Sequence, residues 1–324
     1  MHRSRRSKYY NTRFIYEKND MAELFIENYK EIKESQKTTA RDIARKLLLD
    51  AMSIAYGLTG AIDKACKQPR VQFLYIHHIF KDEEILLVKL IEKLLEQHTF
   101  ISHSEAVTRV LTGHVDKPYI SLSSDDGLKN NLRAAAILSE YNINGCFFIC
   151  PSLIGETNFE KIKTFSANQL HLPPVEFMNW ADVDKLQKQG HEIGGHTMSH
   201  VNIANCEVNQ LNHEIGGCYE EIKKRCGSAK HFAYPYGRYH HFTQQAREMV
   251  SVAGFESCAS AERGCHISPA GNSIDKDDLF VRRDHIILTW PLEHILFFMA
   301  RNAQKTAIQN NYSPYDEHYN NNKQ

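Results

Sequence analysis

Two histidines four positions apart, His196 and His200, are the residues of this 324-residue chain best suited to chemistry. They follow a short apolar run in the segment GHEIGGHTMSH, residues 190–200. If residues 196–200 form one helical turn, both imidazoles lie on one face and can reach a single cation. A catalytic zinc-type ion takes three protein ligands and keeps one position open, so the pair predicts part of a metal site whose third ligand lies elsewhere.

A pair of acids upstream supplies the candidate for that ligand. Residues 118–122, PYISL, are strand-like and lead into Asp125, Asp126 and Gly127. Adjacent residues at a strand end point in different directions, so one carboxylate can bind metal while its neighbour accepts a proton from metal-bound water. The alternative, that the acids cap the following helix, needs only one acid and explains neither histidine.

A third stretch, FAYPYG at residues 232–237, completes an ordered set of three motifs with Asp125-Asp126-Gly127 and GHEIGGHTMSH. On these motifs the chain resembles the polysaccharide deacetylases of the NodB-homology type, carbohydrate esterase family 4, over roughly residues 71 to 300. The resemblance implies an α/β fold, a distorted (β/α) barrel with fewer than eight regular units. The alternation of strand and helix patterns along the chain independently predicts a parallel sheet covered by helices.

The resemblance also implies one divalent metal ion, held by Asp126, His196 and His200, with Asp125 as the general base. One carboxylate and two imidazoles favour Zn²⁺, although Co²⁺, Ni²⁺ or Mn²⁺ could fill the same site. The metal would polarise the acetamide carbonyl, and hydroxide attack would create a tetrahedral oxyanion that needs a further donor.

The backbone N–H of Tyr236 is the predicted donor, since the family's third motif supplies an equivalent amide. Pro235 has no N–H to give and is expected to contribute to substrate binding beside it. The alternative is that residues 234–237 form an aromatic turn with no further role.

The chain departs from the family in two places. No motif near the C-terminus is assigned to the family's general acid, so His285 is predicted for that role, with His266 as the alternative. The arginine expected in the third motif is Ala233 here, and Arg282 or Arg283 is expected to supply that charge from another strand.

Several further residues have two interpretations. His77 follows the strand predicted at 71–76 and is a candidate substrate-binding residue, although a histidine at a strand end is often only hydrogen-bonded. Trp180 could stack on a sugar or simply pack. Thr197 and Ser199 are predicted to make hydrogen bonds with groups that surround the metal ligands.

The chain divides into four predicted regions: a disordered basic arm at 1–20, a helical extension at 21–67, the barrel domain at 68–305 and a disordered tail at 306–324. Further strands are expected at about 118–125, 146–150, 231–234, 255–260 and 279–281, and helices at about 82–97, 104–111, 128–141, 207–226, 243–253 and 292–302. Residues 151–180 are predicted to be a long loop with a short helix at 175–179.

Composition limits the partners. Lys plus Arg and Asp plus Glu both number 39, and the predicted pI near 7.3 gives no general attraction to nucleic acid. No segment is long and apolar enough to span a bilayer, and no secretory signal is evident, so a cytoplasmic location is favoured. The eight cysteines are expected to be free thiols. The helical extension could pack on the barrel or mediate homo-oligomer formation.

Together these features predict a metal-dependent hydrolase that removes acetyl from an N-acetylated amino sugar of a glycan or glycan precursor. A cytoplasmic location favours a biosynthetic intermediate as the carbohydrate substrate. Two alternatives are a metal-dependent amidohydrolase acting on a small non-sugar amide and a catalytically inactive glycan-binding homologue.

Overall fold

A computed structural model describes residues 25–34, 39–267 and 279–309. One sheet of parallel strands forms its centre, in the order β8-β7-β6-β5-β4-β3-β1-β9, with β2 paired to β3. The strands are β1 (Arg70–Ile76), β2 (Thr99–Phe100), β3 (Pro118–Ser124), β4 (Cys146–Ile149), β5 (Glu192–Gly195), β6 (His231–Ala233), β7 (Ser257–Ala259), β8 (Phe280–Val281) and β9 (Arg283–His285).

The two edges of the sheet are brought together by one short segment near the C-terminus. β8 pairs with β7 at one edge and β9 pairs with β1 at the other, and Arg282 alone separates β8 from β9. The sheet is therefore a nearly closed barrel, and the α/β barrel class expected from the sequence is confirmed. The single strand predicted at 279–281 was incomplete, because the chain continues into a second strand.

Twelve helices accompany the sheet within the described residues. They are α1 (Tyr29–Glu34), α2 (Ala40–Leu58), α3 (Ala61–Cys66), α4 (Glu84–Leu95), α5 (His103–Thr112), α6 (Asn131–Glu140), α7 (Phe159–Phe165), α8 (Trp180–Lys188), α9 (Val208–Leu211), α10 (Cys218–Cys226), α11 (Gln244–Ala253) and α12 (Leu292–Gln309). Their ends follow signals in the sequence. The Ser102 and Thr243 side chains accept hydrogen bonds from backbone N–H groups in the first turns of α5 and α11, and Gly227 ends α10 in a left-handed conformation.

Side chains of the strands divide between two packed layers. Val71, Phe73 and Phe148 belong to one buried cluster that also includes the apolar face of α5. The alternate residues Leu74 and Ile120 pack with α4, α6 and α12. This period of two is what a sheet buried on both faces requires.

The region predicted as a long loop at 151–180 is more ordered than expected. A 3₁₀ turn at Pro151–Leu153 precedes α7, and a π-helical segment at Ser166–Leu170 follows it. The short helix predicted at 175–179 was wrong, since Phe177 forms an isolated bridge with Leu128 and the backbone there is extended. Pairing with a distant segment overrode the local pattern.

The helix predicted at 207–226 is interrupted. α9 and α10 are separated by a π-helical segment, Asn212–Gly217. Gly216 and Gly217 lie in this segment, and glycine is a weak helix former. A π-helical turn inside a helix is often associated with a functional site.

The described part of the N-terminal extension packs on the barrel domain. The Asp50 carboxylate in α2 lies 2.8 Å from His294 Nε2 in α12, and the rings of Tyr56 and Phe297 meet edge to face. The predicted basic arm at 1–20 and most of the predicted tail lie outside the described residues, while α12 continues to residue 309. None of the described helices combines the length and the apolar character needed to cross a membrane.

Candidate metal centre and active site

The three predicted metal ligands meet in space. One ligand atom each from Asp126, His196 and His200 lies within 4.8 Å of the others, and all three residues are buried. Asp126 Oδ1 is 3.4 Å from His196 Nε2 and 3.2 Å from His200 Nε2. Asp126 follows β3 and His196 follows β5, so both come from strand C-terminal ends, where barrel enzymes carry their sites.

The loops that carry the ligands contain backbone conformations unusual for side-chain-bearing residues. Of the six non-glycine residues with positive φ in the described chain, four lie in the three motifs: Asp126, Thr197, His200 and Tyr236. The helical turn supposed for residues 196–200 is therefore wrong, because Thr197 and His200 have φ values of 60° and 62°. The turn is held instead by His200 N–H, which donates to Thr197 Oγ1 at 2.9 Å. Such conformations cluster at functional sites.

The donor set fits a divalent cation. His196 Nδ1 lies 2.7 Å from the carbonyl oxygen of Ala233 and must donate to it, which leaves the Nε2 lone pair facing Asp126. Asp126 Oδ1 is buried and has no hydrogen-bond partner among the residues that the structure describes. Leaving a carboxylate oxygen so placed is costly. A cation between this oxygen and the two imidazoles would satisfy all three donors.

Glu214 supports the ligand turn from the π-helical segment. Its carboxylate accepts hydrogen bonds from Ser199 N at 2.9 Å and from Ser199 Oγ at 2.7 Å, and its carbonyl accepts Met198 N–H at 2.9 Å. Glu214 is buried. Sequence reasoning missed it, and the only signal was the adjacent pair Gly216-Gly217, which marks the helix as irregular. The prediction that Ser199 hydrogen-bonds near the ligands agrees with this geometry.

Asp125 is paired with an arginine from the opposite edge of the sheet. Arg283 Nη1 and Nη2 donate to its two carboxylate oxygens at 2.7 and 2.8 Å, and both residues are buried. Burial by itself would raise the pKa of Asp125, but the guanidinium charge outweighs it and holds that pKa below its ordinary value. Of the two arginines proposed from sequence, Arg283 makes this contact, while Arg282 lies over the ring of Tyr239.

A cavity of about 320 Å³ opens beside the ligands. Five of the predicted site residues line it: Asp126, His200, Tyr236, His77 and His285. Tyr29 and Ile32 of the N-terminal extension line it as well, although the resemblance does not cover that extension.

Other candidates lie away from this cavity. Pro235 is buried and is not among the residues that line the cavity. Trp180 packs against the core beneath α8, with the Arg225 guanidinium 5.0 Å from its ring, so its surroundings are those of a packing residue. His266 is buried, and its Nε2 accepts the backbone N–H of Arg282 at 3.0 Å.

His77 and His285 form a pair on the wall of the cavity. His77 Nδ1 and His285 Nε2 are 3.0 Å apart, so one ring donates a hydrogen bond to the other. The His285 ring also stacks on Tyr75, with centroids 4.9 Å apart. Burial and then the neighbouring histidines lower the pKa of His285 well below its ordinary value, which disfavours a permanent charge there.

The third motif turns sharply at the rim of the cavity. Tyr236 has φ of 64° and Gly237 of 62°. A Cβ on Gly237 would lie 2.3 Å from Ala261 Cβ, so only glycine fits this approach. The Tyr236 hydroxyl donates to Gln169 Oε1, which links the motif to the π-helical segment 166–170.

Comparison with known proteins places the motifs in a family. Residues 112–256 match the family model described as polysaccharide deacetylase. A curated relative, a chitooligosaccharide deacetylase from Bradyrhizobium sp. (strain ANU 289), is 25% identical over 103 residues, 31% of this chain. The match spans 37% of the length of that relative.

Solved structures share the fold. IcaB from Ammonifex degensii superposes with a TM-score of 0.54 at 16% identity, covering 72% of this chain and 98% of its own. The deacetylase PplD from Streptococcus pyogenes, solved with acetate, gives 0.53 at 15% identity with the same two coverages. A de-N-acetylase from Aggregatibacter actinomycetemcomitans gives 0.54 at 17% identity, covering 71% of this chain and 100% of its own.

The family model covers all three motifs, from the acidic pair after β3 to the turn after β6. The solved relatives share the barrel on which these motifs are carried. The chain is therefore similar to the polysaccharide deacetylase family over residues 112–256, which carry all three motifs.

Proposed function

We propose that this protein is a metal-dependent hydrolase that removes the acetyl group from an N-acetylated amino sugar of a glycan or glycan precursor. The observation that carries the proposal is the juxtaposition of two groups at one end of the barrel. One is the buried cluster of Asp126, His196 and His200, and the other is the Asp125 carboxylate held by Arg283.

In this proposal a divalent ion, with Zn²⁺ favoured, is held by Asp126, His196 and His200 and supplies Lewis-acid chemistry to the acyl oxygen and to water. Asp125 accepts the proton of the attacking water. Arg283 keeps Asp125 ionised and fixes the plane of its carboxylate, because a bidentate pair restrains both oxygens at once. A general base of this kind contributes about 10² to 10⁴ in rate.

We assign stabilisation of the negative charge that develops on the acyl oxygen to the backbone N–H of Tyr236. The turn at Tyr236-Gly237 on the rim of the cavity supports this role. The leaving amine then needs a proton. We assign its delivery to His285, which lines the same cavity and shares a hydrogen bond with His77. Because burial disfavours a permanent charge on His285, the proton is relayed: His77 Nδ1 gives a proton to His285 Nε2 while the His285 ring gives one to the amine.

The carbohydrate class of the substrate is supported by the family and by the relative described as a chitooligosaccharide deacetylase. The Asp125–Arg283 pair speaks against an inactive glycan-binding homologue, since it replaces the charge missing from the third motif. A small non-sugar amide stays the alternative substrate.

The proposal includes a cytoplasmic location and a biosynthetic intermediate as substrate. All eight cysteines are free thiols, six of them buried, as a reducing compartment permits. Self-association through the extension is also proposed. Its support is a row of apolar side chains along α2, Ile43, Leu47, Ile54 and Leu58, which are 55 to 85% exposed.

The test is acetate release from chitooligosaccharides by the Zn²⁺-loaded protein, with Asp125→Asn as the comparison. We expect acetate from the unmodified protein and a loss of at least about 10² in rate in the variant. Release confined to small linear or cyclic amides would favour the alternative substrate. Equal background rates in both proteins would contradict a catalytic role.

A further inference from the structure

A short N-terminal segment crosses the rim of the active-site cavity. We call residues 25–34 the strap; it includes α1. Tyr29 and Ile32 of the strap line the cavity together with Asp126 and His200. The strap lies far outside residues 112–256, the part that matches the family model. The strap therefore brings the N-terminal extension to the end of the barrel that carries the proposed site.

One side of the strap is tied to the segment that follows β1. The Asp82 carboxylate accepts the backbone N–H groups of Tyr29 at 2.8 Å and Lys30 at 3.0 Å. Lys81 N–H donates to the carbonyl of Glu27 at 2.9 Å, and the side chains of these two residues form an ion pair. Four polar contacts fix this side.

The other side of the strap is tied to the region between β4 and β5. Ile26 N–H donates to the carbonyl of Pro174 at 3.3 Å, and the Phe25 ring meets Phe159 edge to face with centroids 5.4 Å apart. Leu172, close to Pro174 in sequence, lines the cavity. The strap thus joins two loops that stand on different sides of the site.

The inner face of the strap packs tightly against the barrel domain. Ile32 is 2% exposed and belongs to a buried cluster with Phe80 and Phe177. The Tyr29 ring stacks on His78, with centroids 5.8 Å apart and planes 18° from parallel. Because burial of an isoleucine side chain is favourable, the apolar contact stabilises this position.

The rim continues beyond the strap. Gln169 is hydrogen-bonded to the hydroxyl of Tyr236, and residues 170–172 lead from there towards Pro174 and the strap. A connected wall therefore runs from the third motif to the segment after β1. The cavity that this wall borders, about 320 Å³, is at the small end of the range of about 300 to 1,000 Å³ usual for ligand sites.

We propose that the strap restricts this enzyme to a terminal unit of its substrate, a single N-acetylated amino sugar at a chain end or on a small carrier. This inference rests on the proposed function. An internal unit of a polymer needs the chain to enter on one side of the site and leave on another, and the wall built by the strap closes one of these paths. Tyr29 and Ile32 are then specificity-determining residues.

The test is the dependence of binding on chain length, measured with the full chain by calorimetry. The probes are N-acetylglucosamine oligomers of one to six units, and every protein carries Asp125→Asn so that turnover does not interfere. Two strap variants are compared: Tyr29→Ala with Ile32→Ala, and Asp82→Ala, which removes the polar anchor but leaves the apolar contacts. The matched control is Asp184→Ala, an exposed acid in α8 away from the cavity.

With the strap intact, we expect the Kd to change by less than about twofold between two and six units. In both strap variants we expect the six-unit oligomer to bind at least about tenfold more tightly than the two-unit one, which corresponds to about 1.4 kcal/mol of new contacts. Asp184→Ala should behave like the intact protein. With Asp125 restored, mass spectrometry should find the free amine at one chain end only.

Affinity that already rises with length in the intact protein would overturn the inference, as would strap variants that match Asp184→Ala. If the matching protein with Asp125 restored releases acetate in either of these cases, the proposed function stands and only the role of the strap fails. If no oligomer binds and none is deacetylated, both fail.

Discussion

Arg283 donates to both carboxylate oxygens of Asp125, at 2.7 and 2.8 Å, across 158 positions of sequence. Asp125 follows β3, and Arg283 begins β9 on the far side of β1. The Arg283 guanidinium also donates from Nε to the carbonyl of Ser260 at 2.8 Å and lies 4.4 Å from the centre of the Tyr75 ring. The proposed base is therefore oriented by a residue that is itself fixed on several sides.

Replacing Arg283 by lysine should lower kcat/KM by about 10² or more at neutral pH, because lysine keeps the charge but cannot make a bidentate pair. Since the hydrogen bonds from Arg283 also lower the pKa of Asp125, loss of the bidentate pair should raise that pKa and move the acidic limb of the pH profile of kcat/KM to higher pH. Arg282→Lys is the control, because Arg282 lies over Tyr239 instead. Identical profiles for the two variants would contradict the assigned role.

Glu214 is predicted to tune metal affinity without touching the metal. Glu214→Gln should weaken binding of Zn²⁺ by about 10- to 100-fold, since the carboxylate no longer accepts both hydrogen bonds from Ser199. Competition with a chromogenic chelator measures this affinity. Glu221→Gln is a suitable control, because Glu221 pairs with Arg225 on the outer face of α10. An unchanged affinity for Zn²⁺ in Glu214→Gln would show that the turn at residues 196–200 keeps its conformation without Glu214.

Asp284 should make stability depend on pH. It is buried and accepts hydrogen bonds from Gln72 at 2.6 Å and Asn302 at 2.7 Å, but burial raises its pKa from 3.8 to about 6. Because the pKa of Asp284 is higher in the folded protein than in the unfolded chain, its contribution to stability is fully present below about pH 4. This contribution is lost as the pH rises through about 6. At about 1.4 kcal/mol for each unit of difference between the folded and unfolded pKa values, the loss of stability is roughly 3 kcal/mol.

Asp284→Asn removes this titration. The free energy of unfolding of the variant, relative to the unmodified protein, should therefore rise by roughly 3 kcal/mol between pH 4 and pH 8. Urea unfolding at several pH values measures the difference, in which other titrating groups cancel. A constant difference across this range would mean that Asp284 is not the responsible group.

Two glycines should respond in opposite ways to alanine. In β5, a Cβ on Gly194 would lie 2.4 Å from Phe148 Cδ1 and 2.9 Å from the His231 carbonyl, so Gly194→Ala should cost about 1 to 3 kcal/mol of stability. Gly57 lies in α2 with nothing within 4 Å of the added carbon, so Gly57→Ala should gain about 0.5 to 1 kcal/mol. Equal effects in denaturant unfolding would contradict the packing described.

Much of the site was predictable because each motif follows a strand. Residues after β3, β5 and β6 must gather at one end of a parallel sheet, so Asp126, His196 and Tyr236 could be expected to meet without knowing any distance. What could not be predicted was which arginine would pair with Asp125. Neighbouring strand residues point to opposite faces, and only the pairing of Phe73 with Arg283 fixes which one points to the base.

Features that depend on contacts between distant parts of the chain were harder to predict from the sequence. Glu214 sits in a stretch with ordinary helical periodicity, and its role depends on a π-helical turn that the pattern does not encode. The strap was predicted only as helical, because its position depends on Asp82 and on residues near 160–174 rather than on its own sequence. The short helix predicted at 175–179 failed for a related reason, since Leu128 pairs with Phe177.

We propose that Asp126, His196 and His200 hold one catalytic divalent ion beside Asp125 as a separate base. The most direct test is metal content by mass spectrometry after chelation and reloading with Zn²⁺, in the unmodified protein and in His200→Ala and Asp125→Asn. We expect one ion per chain in the unmodified protein and in Asp125→Asn, with acetate release lost in the latter, and little or no ion in His200→Ala. Full metal occupancy in His200→Ala, or an active Asp125→Asn protein, would rule out this arrangement of ligands and base.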